Sequence, residues 1–192
     1  MNNSTTILTH RGLDPEKNKN GEYFTESSLE AFTDQLNRGF GLEFDIRITK
    51  DNKFVIIHDD NLLRSTNNTD PRQIIDLTLQ ELLEININGS HLISLSQLLD
   101  LIENIAAPNI ISALHLKHTM QDVKYLDLLL KELQSRDLSK FIVFDLLKET
   151  AIYLKTKLPD IRLAPSVAHT YDIERYNSAV GGTLWSLSEV LN

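Results

Sequence analysis

Residues Gly41–His58 read GLEFDIRITKDNKFVIIH, and this stretch decides the fold. From Leu42 to Thr49 apolar and polar residues alternate strictly, which is the period of a β-strand. Lys50–Lys53 (KDNK) is a turn and Phe54–His58 (FVIIH) a second strand. A parallel crossover needs about a dozen residues or more, so two strands joined this closely run antiparallel. A turn centred near Asp51 brings His58 beside Glu43. Residues i and i+2 of a strand share a face, so Glu43 and Asp45 project together.

Outward from this hairpin, short β-like runs alternate with helical segments. Upstream lie Thr5–His10 (TTILTH) and a polar stretch, Leu13–Thr25, with Asp-Pro and Asn-Gly turn signals. Ser27–Glu30 (SSLE) predicts a capping box that opens a helix carrying Leu29, Phe32 and Leu36 and stopping at Gly39. Downstream, Thr78–Glu81 (TLQE) and Ser94–Gln97 (SLSQ) predict two further boxes, the second opening a helix with Leu98, Leu101, Ile102 and Ile105. Strands follow at Ile110–Lys117, Phe141–Phe144 and Ile161–Val167, with a leucine-striped helix before the second and a helix over Lys148–Leu158 before the third. Leu184 and Trp185 sit in a short apolar stretch of the tail.

Strands separated by helices of this length predict an α/β fold. A doubly wound sheet would carry a Gly-rich phosphate loop after its first strand, and this chain has Gly12 alone. A TIM-barrel-like (β/α) fold is the better reading. A complete barrel takes roughly 250 residues and eight strands, and six strands can be counted in these 192 residues. The chain is therefore read as a single barrel domain over residues 1–192, C-terminally incomplete and lacking the last one or two strands.

Composition narrows the function. The 19 Lys and Arg stand against 27 Asp and Glu, a net charge of −8, with no basic block. That disfavours nucleic acid or an anionic membrane as partner. The absence of Cys excludes disulfides, thiolate metal sites and a Cys nucleophile. No run approaches the ~18 apolar residues of a membrane span. The N-terminus has neither a basic n-region nor an apolar h-region, so the chain is expected to be cytoplasmic.

Polar residues gather at strand ends: His10 and Arg11, Glu43 and Asp45, His58, and His115 with Lys117. Two carboxylates on one face repel unless a cation lies between them, and oxygen ligands at this spacing suit Mg²⁺, Ca²⁺ or Mn²⁺. A phosphodiester suits the set. Its anionic oxygens need cations, here Arg11 and Lys117. Two histidines can divide the proton transfers near neutral pH.

The order of the motifs then points to a family. Thr9-His10-Arg11-Gly12 is followed by Glu26-Ser27-Ser28-Leu29-Glu30-Ala31-Phe32, by Gly41–Asp51 with its Glu43-x-Asp45 and Thr49-x-Asp51 pairs, by His58-Asp59, and by Asn61-Leu62-Leu63-Arg64-Ser65-Thr66. This ladder resembles the glycerophosphodiester phosphodiesterase family, strongly over the first 66 residues and more weakly to about Val167. The resemblance implies a TIM barrel that cleaves glycerophosphodiesters to glycerol phosphate and an alcohol. It implies His10 and His58 as the acid–base pair, Arg11 on the phosphate, and Glu43 and Asp45 on a divalent metal, with the substrate's own 2-hydroxyl as a candidate first nucleophile. Glu26, in the Glu-Asn-Thr-like helix start, is a further candidate ligand. The family's next ligand is a Glu in a Glu-x-Lys strand motif; here His115 holds that place and Lys117 keeps the Lys. Imidazole is a poorer ligand for Mg²⁺ or Ca²⁺ and a better one for Zn²⁺ or Mn²⁺, so the metal is read as Mg²⁺ or Ca²⁺ with Mn²⁺ or Zn²⁺ as alternatives. Ser27 replaces the family's Asn. Two other readings stay open: a non-catalytic or weakened relative that binds phosphate esters or metal, and a phospholipid-cleaving lyase like the sphingomyelinase D toxins. The absence of Cys and of a secretory signal weighs against the second.

Overall fold

The computed structural model describes residues 6–13, 21, 23–168, 173, 176 and 182–191. Most of the polar turn region at residues 14–22, and His169, therefore lie outside the described residues. The chain divides into two compact units, Met1–Ala113 and Leu114–Asn192.

In the first unit, β1 (Leu8–His10) runs parallel to β2 (Gly41–Ile48), with Leu8 opposite Gly41 and His10 opposite Glu43. β3 (Phe54–Ile56) pairs antiparallel with β2 through Ile46–Ile56, Arg47–Val55 and Ile48–Phe54. That register centres the turn on Asp51, as the spacing predicts. Thr49 Oγ1 donates to Asp51 Oδ1 at 2.7 Å, and Asn52 takes the left-handed conformation (φ 57°) that closes the turn. The pairing continues past β3, because Ile57 N donates to the Asp45 carbonyl at 3.2 Å. Leu42, Phe44 and Ile46 are fully buried, and Asp45 on the polar face of β2 is only 1% exposed.

Three helices flank these strands: α1 (Leu29–Asn37), α2 (Leu79–Leu83) and α3 (Leu95–Ile105). Thr78 and Ser94 form the expected capping boxes with Glu81 and Gln97. The box expected at Ser27 does not form. The N-cap of α1 is Ser28, whose Oγ accepts from Ala31 N at 3.1 Å, while Ser27 turns to φ 57° and donates its N–H to the Arg11 carbonyl at 2.8 Å. Glu30 instead accepts from the backbone and ring of His91. A hairpin that the sequence reading passes over joins β4 (Asn86–Ile87) to β5 (Ser90–His91). Its turn is Asn88-Gly89, both at positive φ, the residue pair that a tight type I′ turn prefers.

β6 (Ser112–His115) begins in the first unit, where Ser112 Oγ accepts from Leu42 N, and ends in the second, where Leu116 N donates to the Phe144 carbonyl. The second unit continues through α4 (Val123–Leu133), β7 (Phe141–Phe144) and α5 (Lys148–Lys157). Buried Gln121 ties β6 to β7: its Nε2 donates to the Leu116 and Asp145 carbonyls, and its Oε1 accepts from Leu147 N. The single strand expected at Ile161–Val167 is two. Pro165 has no N–H to donate, and it divides β8 (Leu163–Ala164), parallel to β7, from β9 (Ser166–Val167). β9 pairs in parallel with β10 (Leu184–Trp185), a strand too short to read from its own sequence; Trp185 Nε1 anchors it by donating to the Leu146 carbonyl. The short helix α6 (Leu187–Leu191) follows. Among the described residues, no helix is long and apolar enough to cross a membrane.

Gly41 stands where the neighbours of β2 leave no room for a side chain. A Cβ there would run into the Ile111 carbonyl and the Leu8 side chain. Gly41→Ala must therefore push β2 off its neighbours, an overpacking cost of about 1–3 kcal/mol. The thermal midpoint should fall by roughly 2–12 °C, since about 1 kcal/mol corresponds to 2–4 °C at this size. An unchanged midpoint would show that the strand yields without cost.

Candidate active site

In the first unit His10 ends β1, Glu43 and Asp45 lie within β2, and Arg11, Glu26 and His58 stand on the loops after β1 and β3. The chain leaves β1 in a left-handed turn: Arg11 has φ 57° and Gly12 φ 70°. Arg11 is a strained position for a residue with a Cβ. Two backbone bonds hold it there, Arg11 N to the Glu43 carbonyl (2.9 Å) and Ser27 N to the Arg11 carbonyl. Gly12 packs against Ala31 and Phe32 of α1, so the turn is clamped between a strand and a helix.

This clamp aims the Arg11 side chain across the polar face of β2. Its Nε lies 3.3 Å from Asp45 Oδ2, and its Nη1 lies 3.3 Å from Glu26 Oε1. Oxygens of Glu43 and Asp45 approach within 4.8 Å of one another. Two buried carboxylates this close repel strongly at low dielectric. His10 Nε2 lies 3.8 Å from Glu43 Oε2, and its side chain is 63% exposed. His58 follows the last β2–β3 backbone bond, Ile57 N to the Asp45 carbonyl. Its Nδ1 meets Asp59 Oδ1 at 2.6 Å. An ionised carboxylate only accepts, so Nδ1 carries the proton and Nε2 presents the lone pair. Arg47 holds the backbone beneath the ring, with Nε and Nη2 donating to the His58 carbonyl at 3.0 and 2.7 Å.

Glu26 Oε1 is taken by two guanidiniums, Arg64 Nη2 at 2.6 Å and Arg11 Nη1 at 3.3 Å. Burial raises its carboxyl pKa, but the two arginines outweigh burial and hold it below the ordinary 4.5. Burial likewise raises Asp59, and hydrogen bonds from Arg64 and His58 bring it below 3.8. Sequence reasoning assigns no role to Arg47, Asp59 or Arg64. Asp59 and Arg64 stand in the motif ladder; Arg47 looks like an ordinary strand cation until the register places it beside His58.

His115 and Lys117 belong to the second unit. His115 Nε2 meets Asp145 Oδ2 at 3.1 Å, and its ring stacks on Phe144 at a centroid distance of 4.9 Å. Asp145 sits at φ 65°. Burial raises its carboxyl, but hydrogen bonds from His115, Ser166 and Thr183 outweigh burial and hold it below the ordinary value. Half-buried Lys117 caps the turn His118–Met120.

A model of the glycerophosphoryl diester phosphodiesterase family matches residues 10–174. The chain belongs to this family. The match begins at His10 and takes in every candidate residue above. A glycerophosphodiester phosphodiesterase of Bacillus altitudinis is 39% identical over 64 residues, 33% of this chain and 23% of that protein. Among solved structures, a phosphodiesterase of Oleispira antarctica in complex with the product sn-glycerol-3-phosphate superposes with a TM-score of 0.68 at 17% identity, covering 91% of this chain and 71% of that one. The glycerophosphodiester phosphodiesterase of Thermotoga maritima gives 0.60 at 22% identity over 95% and 74%. These likenesses establish the TIM-barrel-like α/β fold.

The lowered carboxyls give the site a pH signature. A depressed pKa contributes stability that is present above the unfolded value and lost as pH falls through the folded one. The thermal midpoint should therefore drop on acidification below about pH 4.5, the ordinary Glu range. Glu26→Gln should make that acid limb shallower. Superimposable wild-type and variant curves of midpoint against pH would show that Glu26 is not held by its arginines.

Proposed function

We propose that this family member hydrolyses glycerophosphodiesters to glycerol phosphate and an alcohol, using His10 and His58 as the acid–base pair and a divalent metal. The observation that carries the reading is that each histidine stands on, or just after, a strand paired with the strand of the carboxylate pair. His10 is in register with Glu43 through β1, His58 directly follows Ile57, whose N–H donates to the Asp45 carbonyl, and Arg11 Nε lies 3.3 Å from Asp45. The family match supports the reaction class, and the bound product of the Oleispira antarctica relative supports the substrate class.

In this reading Arg11 binds a non-bridging phosphate oxygen, and Lys117 is taken as a second phosphate-binding residue from its place in the motif ladder alone. One imidazole takes the proton of the attacking hydroxyl as the new P–O bond forms. The bond to the leaving alcohol breaks, and the other imidazole, protonated, gives its proton to the departing alkoxide. The nucleophile is water or, first, the substrate's own 2-hydroxyl; in the second case a cyclic phosphate forms, and water then opens it to glycerol phosphate with the two imidazoles exchanging their acid and base roles. His58 suits the base role because Asp59 fixes its tautomer and Arg47 its backbone.

The buried oxygen set of Glu43 and Asp45 fits a hard divalent cation such as Mg²⁺ or Ca²⁺. When bound, that cation neutralises charge developing on the phosphoryl oxygens. The reading takes His115 as a further ligand from its place in the motif ladder. The hold of Asp145 on one ring nitrogen is the support a ligating histidine ordinarily has, and an imidazole in the set widens the choice to Mn²⁺ or Zn²⁺. Glu26, engaged by Arg64 and Arg11, serves the arginines in this account rather than the metal. A small-molecule phosphodiester is the only partner the reading needs.

Turnover of glycerophosphocholine with and without chelator tests this. General acid–base catalysis is worth about 10²–10⁴ in rate, so His58→Ala or His10→Ala should lower kcat at least about 100-fold with the fold intact. Metal or phosphate-ester binding without turnover would select the non-catalytic alternative, for which His115 in a carboxylate's place is the motive. A cyclic phosphate as final product would select the lyase.

A further inference from the structure

A continuous series of charged contacts runs through the first unit from His58 to Asp45. His58 Nδ1 meets Asp59 Oδ1 (2.6 Å), Asp59 Oδ2 meets Arg64 Nε (2.5 Å), and Arg64 Nη2 meets Glu26 Oε1 (2.6 Å). Glu26 Oε1 also meets Arg11 Nη1, and Arg11 Nε meets Asp45 Oδ2, both at 3.3 Å. Arg64 is the link at which the two halves join. It stands on a short 3₁₀ turn, Arg64–Thr66, that the fold pins down. Leu62 beneath it is fully buried, Thr66 Oγ1 donates to the Leu62 carbonyl, and Asn88 of the β4–β5 hairpin donates to the Ser65 carbonyl. Asn67 and Asn68, both left-handed, end the turn at once.

We infer that Arg64 is a positioning residue that couples the acid–base histidine to the phosphate-binding arginine, an inference that rests on the function proposed above. Its Nε fixes the Asp59 carboxylate that orients the His58 ring. Its Nη2 takes the larger share of Glu26, whose contact with Arg64 is 0.7 Å shorter than its contact with Arg11 (2.6 against 3.3 Å). Arg11 is thereby held by two long contacts instead of one tight one, and it can turn to an incoming phosphate at little cost. Without Arg64, the full charge of Glu26 falls on Arg11 and withdraws it, while Asp59 loses the contact that holds it. A planar guanidinium can serve two carboxylates with separate, diverging N–H groups, whereas an ammonium is a single point donor.

Arg64→Gln, Arg64→Lys and Asp59→Asn are compared with wild type for kcat and KM on glycerophosphocholine and, by calorimetry, for binding of glycerol 3-phosphate. Partners that orient a site residue are worth on the order of 10–100-fold. Arg64→Gln should raise KM and weaken glycerol 3-phosphate binding at least about 10-fold, and lower kcat by a similar factor. Asp59→Asn should lower kcat and leave KM and binding near wild type, because it touches one half of the series. Arg64→Lys should fail to restore at least one of the two parameters. A merely structural Arg64 would lower the active fraction, and so kcat, with KM and ligand affinity unchanged; that result overturns the inference, as does full activity and affinity in Arg64→Lys. If wild type binds glycerol 3-phosphate but does not turn over glycerophosphocholine, the proposed reaction fails. The affinity of Arg64→Gln then decides the coupling by itself: weakened binding upholds it and wild-type binding overturns it.

Discussion

Asp45 and Glu43 place two carboxylates on one face of β2, and Asp45 is cut off from water. Ionised groups so close and so buried need positive charge beside them, and the surrounding fold is arranged around that need. The Arg11 turn, the clamp from α1 and the register of β1 all bring the Arg11 guanidinium to Asp45. Arg64 takes the larger share of Glu26, which leaves Arg11 as one positive charge beside Glu43 and Asp45. In the proposed reaction a divalent cation held by the pair would supply the remaining positive charge and a further electrostatic contact for the phosphate.

Strain collects where this arrangement is made. Arg11, Ser27 and Asp145 all adopt left-handed backbone conformations, which L-residues with a Cβ adopt at a cost. Arg11 and Ser27 share a backbone hydrogen bond across the loops after β1 and before α1, so each fixes the other. In the second unit, Asp145 ends β7 in the same way and directs its carboxylate at His115. Residues at strand ends are turned out of the strand path, and side chains that would otherwise lie along the sheet are aimed at charged neighbours.

Much of this was legible in the sequence because the decisive signals are local. The alternation of Leu42–Thr49, the brevity of Lys50–Lys53 and the resulting antiparallel pairing follow from period and spacing. The observed register centres on Asp51 as expected, and carried on to His58 it sets that residue opposite Phe44, one residue from Glu43. The ladder from His10 to Arg64 was legible as a family pattern, which the match over residues 10–174 bears out. What was not legible depends on contacts between distant segments. Ser27 satisfies every local rule for an N-cap, but the Arg11 carbonyl takes its N–H and the cap moves to Ser28. Arg47 serves His58 only because β3 returns beside β2. The two-residue strands around Pro165 and Leu184 exist by virtue of their partners and have no period of their own. The Asn88-Gly89 hairpin was readable, since its signal is local.

The central claim is that the carboxylate pair of β2 is a metal site, and it can be tested without any assumption about substrate. The measurement is the thermal midpoint of the protein titrated with Mg²⁺, Ca²⁺, Mn²⁺ and Zn²⁺, for wild type and for Glu43→Gln combined with Asp45→Asn. A ligand that binds the folded chain alone stabilises it by RT ln(1 + [L]/Kd), about 2.7 kcal/mol at a hundredfold excess over Kd. The account predicts a saturable rise in wild type with at least one of these ions and no rise in the double variant. An equal rise in both proteins would place the ion elsewhere and contradict the account.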